Sequence, residues 1–417
     1  MLAAVMAGAV LNHRGVQLHA DAAPLFADWL PHVGPGTPAA LAVAVLIVSR
    51  GPDWAARLGW RTLLAAGYLA ALAWTLSLAL IDGWSRGLAT RLTPQAEYLH
   101  DLPKVHGIGA LLAGFSSHII DFQPGSWATH VAGHPPGAFL VFVLLDRAGL
   151  GGGGPAALAC VLVGATAPVS VAAALRWLRD EDGARAALPF LVLFPGAVWV
   201  GASADGLFAG VLAAGLALLA APRWWLAAPG GLLLGTSLYL SYGLVLAGAL
   251  AVGVLMLRER RRWAAAAAGG AGVLAVAAAF TTAGFDWFTG YQLVVRRYNQ
   301  GWAAQRPYGY WVWADLAALV LSAGPVVAPA LVRAGRATWG AGARRAPTVW
   351  LPALALAAVL AADLSGLSKA EVERIWLPYE VWLLAATAWL PPRARRPALA
   401  LQALVALLVN HLLLTNW

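Results

Sequence analysis

From Trp263 to Ala283 the chain runs 21 residues without a charged side chain. That is long enough to cross a hydrocarbon core of about 30 Å as a helix, and too long for a buried core strand. Similar runs recur near 38–50, 62–81, 155–175, 187–200, 205–221, 225–238, 242–257, 311–332, 348–362, 375–390 and 397–414. They are continuous rather than alternating, so helices are expected and an outer-membrane barrel is not. Composition supports this: 60% of residues are hydrophobic and 11% charged, against about 25% charged in soluble domains. Soluble enzymes, disordered chains and nucleic-acid binders are thereby excluded. The expectation is an all-α polytopic transmembrane helix bundle of about 11–13 spans. It reads as one domain: an N-terminal segment 1–61 with one or two extra spans, then a core over 62–414. Residues 1–12 are too short and too weakly charged for a secretory signal, and read as a clipped first span. A lone cysteine, Cys160, leaves no intrachain disulfide and no cysteine metal cluster.

The connectors differ in charge. Eighteen of the 26 arginines lie in one set of loops: Arg50, Arg57, Arg61; Arg176, Arg179, Arg185; Arg223; Arg258, Arg260–Arg262; Arg333, Arg336, Arg344, Arg345; and Arg393, Arg395, Arg396. The positive-inside rule places that set in the cytoplasm. The other set holds 14 of the 19 acids, all nine histidines and the longest loops, 82–154 and 284–310. Nearly all titratable chemistry is thus expected on the outer face of the cytoplasmic membrane. A secondary transporter would instead place its polar groups at mid-membrane, on broken helices in two related halves. No internal repeat of that kind is legible.

Six outer constellations carry the candidate chemistry. Asp82-Gly83-Trp84 puts an acid at the lipid–water boundary, either as a base or as a helix-ending Asp before Gly. Glu97, His100, Asp101, His106, His118 and Asp121 leave a divalent metal site open, although their spacing matches no metal signature. Trp127 to Gly137 contains His130 and His134 beside paired prolines that suit a helix entry near 135. Asp205, after Ser203, is either a membrane-edge acid or, like Ser203, a helix cap. The loop 284–310 mixes aromatics with Arg296, Arg297, Arg306 and Tyr308, a set suited to a phosphorylated sugar lipid or to a membrane aromatic belt. Finally, Ser368-x-x-Glu371 reads as a capping box. Arg374 then falls near a helix N-terminus, as an anion site or as a partner of Glu371 or Glu373.

Together these elements resemble the GT-C superfamily of polytopic glycosyltransferases that use lipid-phosphate sugars. The resemblance runs from about residue 62 onward and is one of layout. Asp82 matches the acid that opens the first long outer loop, His134-Pro135-Pro136-Gly137 the late Pro-Pro element, Asp205 the second outer acid, and Glu371-Val372-Glu373-Arg374-Ile375-Trp376 the basic late loop. The segment Gly366-Leu367-Ser368-Lys369 through Glu373-Arg374-Ile375-Trp376-Leu377-Pro378 also resembles actinobacterial integral membrane proteins. The chain departs from the family in carrying Asp-Gly where an acidic pair is usual. What the resemblance implies is inverting transfer from a polyprenyl-phosphate-sugar donor to an envelope acceptor. Asp82, Glu97 or Asp101 would supply the base, and His130, His134, Asp205, Arg296, Arg297, Arg306, Tyr308 and Arg374 would contact substrate. No cofactor is certain, and a divalent metal stays open. A flippase for lipid-linked saccharides, or a non-catalytic envelope-assembly protein, is the alternative.

Overall fold

The computed structural model describes residues 1–338 and 345–415, so Arg344 lies outside the described residues. The described residues are all-α apart from one short pair of strands. Among the described residues, five helices are long and apolar enough to cross a membrane: Thr37–Arg57, Trp60–Asp82, Gly153–Trp177, Arg262–Thr282 and Pro347–Ser365. Other expected spans form shorter helices, among them Ala204–Ala220 and Tyr242–Leu257. By length and composition alone, five of the expected 11–13 spans, or six if the bent pair below counts as one, reach a full crossing, and the rest are shorter. Runs of 10–17 residues fall short of the roughly 20 that an upright crossing needs.

The run 311–332, read as one span, is two helices. Tyr308–Ser322 and Val327–Ala337 meet at 94°. Gly324 sits between them at φ +95°, and Pro325 after it has no N–H to continue a helical ladder. The side chain of Gln402 donates to the Ala323 carbonyl at the corner (3.1 Å).

Both long loops contain helices. In 82–154, Pro135 precedes a helix over Pro136–Arg147, with Pro136 at its first position as expected. The segment 284–310, read as a loop, instead contains a 14-residue helix, Trp287–Gln300. Asp286 starts it, its carboxylate accepting from the Thr289 N–H at 2.7 Å; that Asp at the head of an amphipathic run was the overlooked signal.

The arginine-rich connectors gather at one end of the bundle. Arg185 donates to the Ala55 and Leu58 carbonyls, Thr348 to Asp180, Arg396 to Asp53 and Arg333 to the Trp389 carbonyl. Arg258 donates to the carbonyls of Leu219 and Ala221, at the C-terminal end of the Ala204–Ala220 helix. Asp205 lies in the first turn of that same helix. Seventeen residues at 1.5 Å each separate the two ends by about 25 Å. The charge asymmetry of the sequence is thus an asymmetry in space.

At the Asp205 end, strands Ala27–Trp29 and Leu413–Thr415 pair antiparallel. His411 bonds Thr37 nearby (2.9 Å). The N-terminal segment is stitched into the rest of the bundle by these contacts.

Candidate functional site

Asp205 is free to reach across the bundle because Ser203 caps its helix, its Oγ accepting from the Gly206 N–H (3.3 Å). Of the two cap readings, the Ser203 one is seen. Arg374 comes from a short helix, Val372–Ile375. The expected capping box does not form. Ala370 and Glu371 both adopt left-handed backbone, φ +65° and +63°, so the helix starts only at Val372 and Ser368 turns away toward the Ala362 carbonyl.

That turn swings the Glu371 carboxylate between two arginines. Arg374 Nη2 reaches Glu371 Oε2 at 2.8 Å, and Arg306 Nη1 reaches Oε1 at 3.2 Å. Arg374 Nη1 donates to Asp205 Oδ2 at 2.6 Å. Its Nη2 also lies 3.0 Å from His130 Nε2. A guanidinium cannot accept, so His130 Nε2 does, which leaves the proton on Nδ1. Nδ1 faces Glu97 Oε1 at 2.9 Å. The result is one continuous network, Glu97–His130–Arg374 with Asp205, Glu371 and Arg306, and Glu97, Asp205, Arg306 and Arg374 are all at least 94% buried. Of the readings open for Arg374, pairing with Glu371 is present in this state, and the pair extends to Asp205, 169 residues away.

Burial alone would raise the Glu97 carboxyl, but the imidazole of His130 beside it and the charge of Arg374 outweigh that and hold Glu97 below its ordinary range. Glu371 is held low against burial in the same way, by Arg374 and Arg306. Burial lowers His134 to about 4, so its ring is neutral. Its Nδ1 lies 2.8 Å from the His130 carbonyl and 3.0 Å from the Tyr98 hydroxyl. His134 therefore buttresses the network from behind.

Asp82 forms a second, adjoining cluster. Arg91 Nη2 bonds Oδ2 (3.1 Å). Oδ1 has His32 Nε2 at 3.0 Å and Arg86 Nη2 at 3.2 Å, within ion-pair distance, yet it makes no hydrogen bond. Arg86 is half exposed. Arg91 links the clusters, because it lines one cavity with Glu97, His130, Asp205 and Arg374. That cavity is about 10 Å³, room for roughly one water. Its ionised walls are closed on each other.

The remaining expected residues lie elsewhere. Asp101 is fully buried but turned to Lys104 (2.7 Å) and the Ala128 N–H (2.6 Å), which pins the first long loop. Arg297 clamps the helix Trp287–Gln300 to that loop through Asp121 and the Ile119 and Trp127 carbonyls. Arg296 is exposed, and Tyr308 bonds the Leu364 carbonyl at the surface. The acids and histidines that left a metal site open are dispersed among these contacts, with His118 against the Trp127 ring. Among the described residues no group of three or more His, Cys, Asp or Glu is placed to hold a metal ion.

Sequence reasoning missed His32 and Arg91. His32 sits in the segment set aside as preceding the core, and Arg91 was counted only among the eight outer arginines.

No family model matches the chain. No curated protein is similar to it. Among solved structures, the chain is similar to the crystal structure of ArnT from Cupriavidus metallidurans in the apo state, at 18% identity and a TM-score of 0.49. The match covers 79% of this chain and 61% of that one, so the chain spans about three fifths of the length of that structure.

Proposed function

We propose that the chain is a GT-C-type glycosyltransferase that moves a sugar from a polyprenyl-phosphate donor to an envelope acceptor. Its site is the pair of clusters joined by Arg91, on the outer face of the cytoplasmic membrane. One observation carries the reading: paired buried charges from four distant segments meet at one cavity, at the end of the bundle away from the arginine-rich loops. Charge buried at the ends of membrane helices is costly and is kept where it serves function. The layout resemblance to GT-C enzymes points to the same residues.

In this reading Asp82 is the base. Its Oδ1 has no hydrogen bond to surrender, and the half-exposed Arg86 beside it can swing away. The acceptor hydroxyl gives its proton to Oδ1, and the acceptor oxygen attacks the anomeric carbon from the face opposite the phosphate. The bond from that carbon to the phosphate oxygen breaks, and its electron pair leaves with the polyprenyl phosphate. Arg374 and Arg91 face the shared cavity and stabilise that anion bidentately. Because the cavity is closed, donor binding must first part Arg374 from Asp205 or Glu371.

The test is sugar transfer by the purified protein in lipid nanodiscs, from a panel of polyprenyl-phosphate sugars. Transfer by wild type and none by Asp82→Asn, with unchanged donor binding, supports the assignment. Near-normal transfer by Asp82→Asn moves the base to Glu97. Movement of intact donor across vesicles without transfer identifies a flippase instead.

A further inference from the structure

At the opposite end of the Ala204–Ala220 helix lies a cavity of about 960 Å³. Arg179, Arg258, Arg261, Arg262, Arg345 and Arg395 line it, against three acids, Asp180, Asp182 and Glu259. Two of those acids are engaged: Asp180 caps the Gly183 N–H and accepts from Thr348, and Glu259 lies 3.6 Å from Arg179. The cavity therefore carries a positive excess that its own walls do not cancel.

Arg258 is 93% buried. One of its nitrogens holds the carbonyls that end the Ala204–Ala220 helix, while its Nε has no hydrogen-bond partner among the described residues. A buried guanidinium N–H left unsatisfied beside a basic cavity suits an anion.

The surroundings say where that anion comes from. The cavity opens where two apolar helices end or begin, at Leu257 and Arg262. Val252 and Met256, one turn apart on the first of these helices, are 59% and 61% exposed, and Trp263 on the second is 74% exposed. An apolar stripe facing lipid thus runs directly into the basic cavity, with a tryptophan at its edge where interfacial tryptophans sit.

We infer that this cavity binds the phosphate headgroup of an anionic phospholipid, with the acyl chains lying along Val252 and Met256. Basic cavities between membrane helices recognise such headgroups, and the volume exceeds what one inorganic phosphate fills. The site is about 25 Å from Asp205 along one helix and shares no residue with the proposed transfer site.

The test uses the full chain in neutral detergent. Binding of short-chain diphosphatidylglycerol is measured beside phosphatidylcholine and inorganic pyrophosphate. One variant carries Arg261→Gln, Arg262→Gln and Arg345→Gln. A control carries Arg50→Gln, Arg57→Gln and Arg61→Gln, the same charge removed from the same face outside the cavity. Arg258 is left intact because it caps a helix. The expected result is binding of the anionic lipid but not of phosphatidylcholine, weakened about tenfold or more in the cavity variant and less than twofold in the control. Equal weakening in both variants would mean diffuse attraction to the charged face and overturn the site. Pyrophosphate binding as tightly as the lipid would assign the cavity to a soluble anion and overturn the lipid. Unchanged binding in a cavity variant that melts like wild type would overturn both.

Discussion

The two ends of the Ala204–Ala220 helix handle charge in opposite ways. At the Asp205 end, arginines and carboxylates are buried, paired at 2.6–3.2 Å and closed over almost no space. At the Arg258 end, arginines outnumber acids around an open cavity, and several pairs are loose or exposed. The difference teaches that arginine content alone does not locate chemistry in a membrane chain. Exposed arginines set the charge of one face, whereas a few buried ones are held one by one by acids.

The largest expected effect sharpens the closed end. Asp82→Asn keeps shape and removes the base, so turnover in the nanodisc assay should fall by roughly 10²–10⁴. The Arg86→Gln variant, which removes only a half-exposed neighbour, should change it far less.

Next, Arg374→Ala leaves the buried Asp205 without its cation and Glu371 with Arg306 alone. Thermal or denaturant melts should show a loss of about 3–5 kcal/mol, the scale for removing one member of a buried pair. Adding Asp205→Asn to an Arg374→Met variant should recover part of that loss. If the double variant is no better than the single one, the two side chains are not coupled and the contrast between the ends fails at its centre.

The third prediction is a pH dependence belonging to the closed end only. The unfolded chain protonates a histidine near 6.5, while His134 in the fold resists down to about 4. Between those values the unfolded state binds the extra proton, so the contribution of His134 to stability falls as pH falls through this window. The effect should reach about 1–2 kcal/mol by pH 5 for this partly buried ring. Glu97, held low in the fold, adds a loss of the same sign at lower pH. His134→Gln should flatten the melting profile between pH 6.5 and 5. An unchanged slope would place the acid sensitivity elsewhere.

The smallest effect belongs to the open end. The exposed pair Arg396–Asp53 should cost at most about 1 kcal/mol when Arg396 is replaced by Gln, and less as salt is raised.

The spans were legible because an uncharged run near 20 residues admits few other structures, and the split of charge between faces followed from counting arginines. The shorter runs were not, since a run such as 187–200 reads alike whether it crosses the membrane or breaks, as it does here after Val192. The break at Gly324-Pro325 was read through as part of one span, and nothing local sets its 94° angle. Within the site, Asp205 and Arg374 stood out singly as membrane-edge charges. Their pairing was not readable, because a contact across 169 residues leaves no local pattern. The apparent capping box misled for a related reason: Ser368-x-x-Glu371 has the right letters, but two left-handed residues intervene before the helix. Arg306 entered the network while Arg297, nine residues earlier on the same aromatic stretch, became a structural clamp; residue type alone could not separate them.

The span between Asp205 and Arg374 also sets an order of biogenesis. Ribosomes add about 5–20 residues per second, so after Asp205 is made, its cation follows some 10–30 s later. During that interval an acid at the tip of an inserting apolar helix has no partner, and water or a proton must stand in for one. The growing chain thus carries a membrane-edge acid across 169 residues of synthesis before its arginine is made.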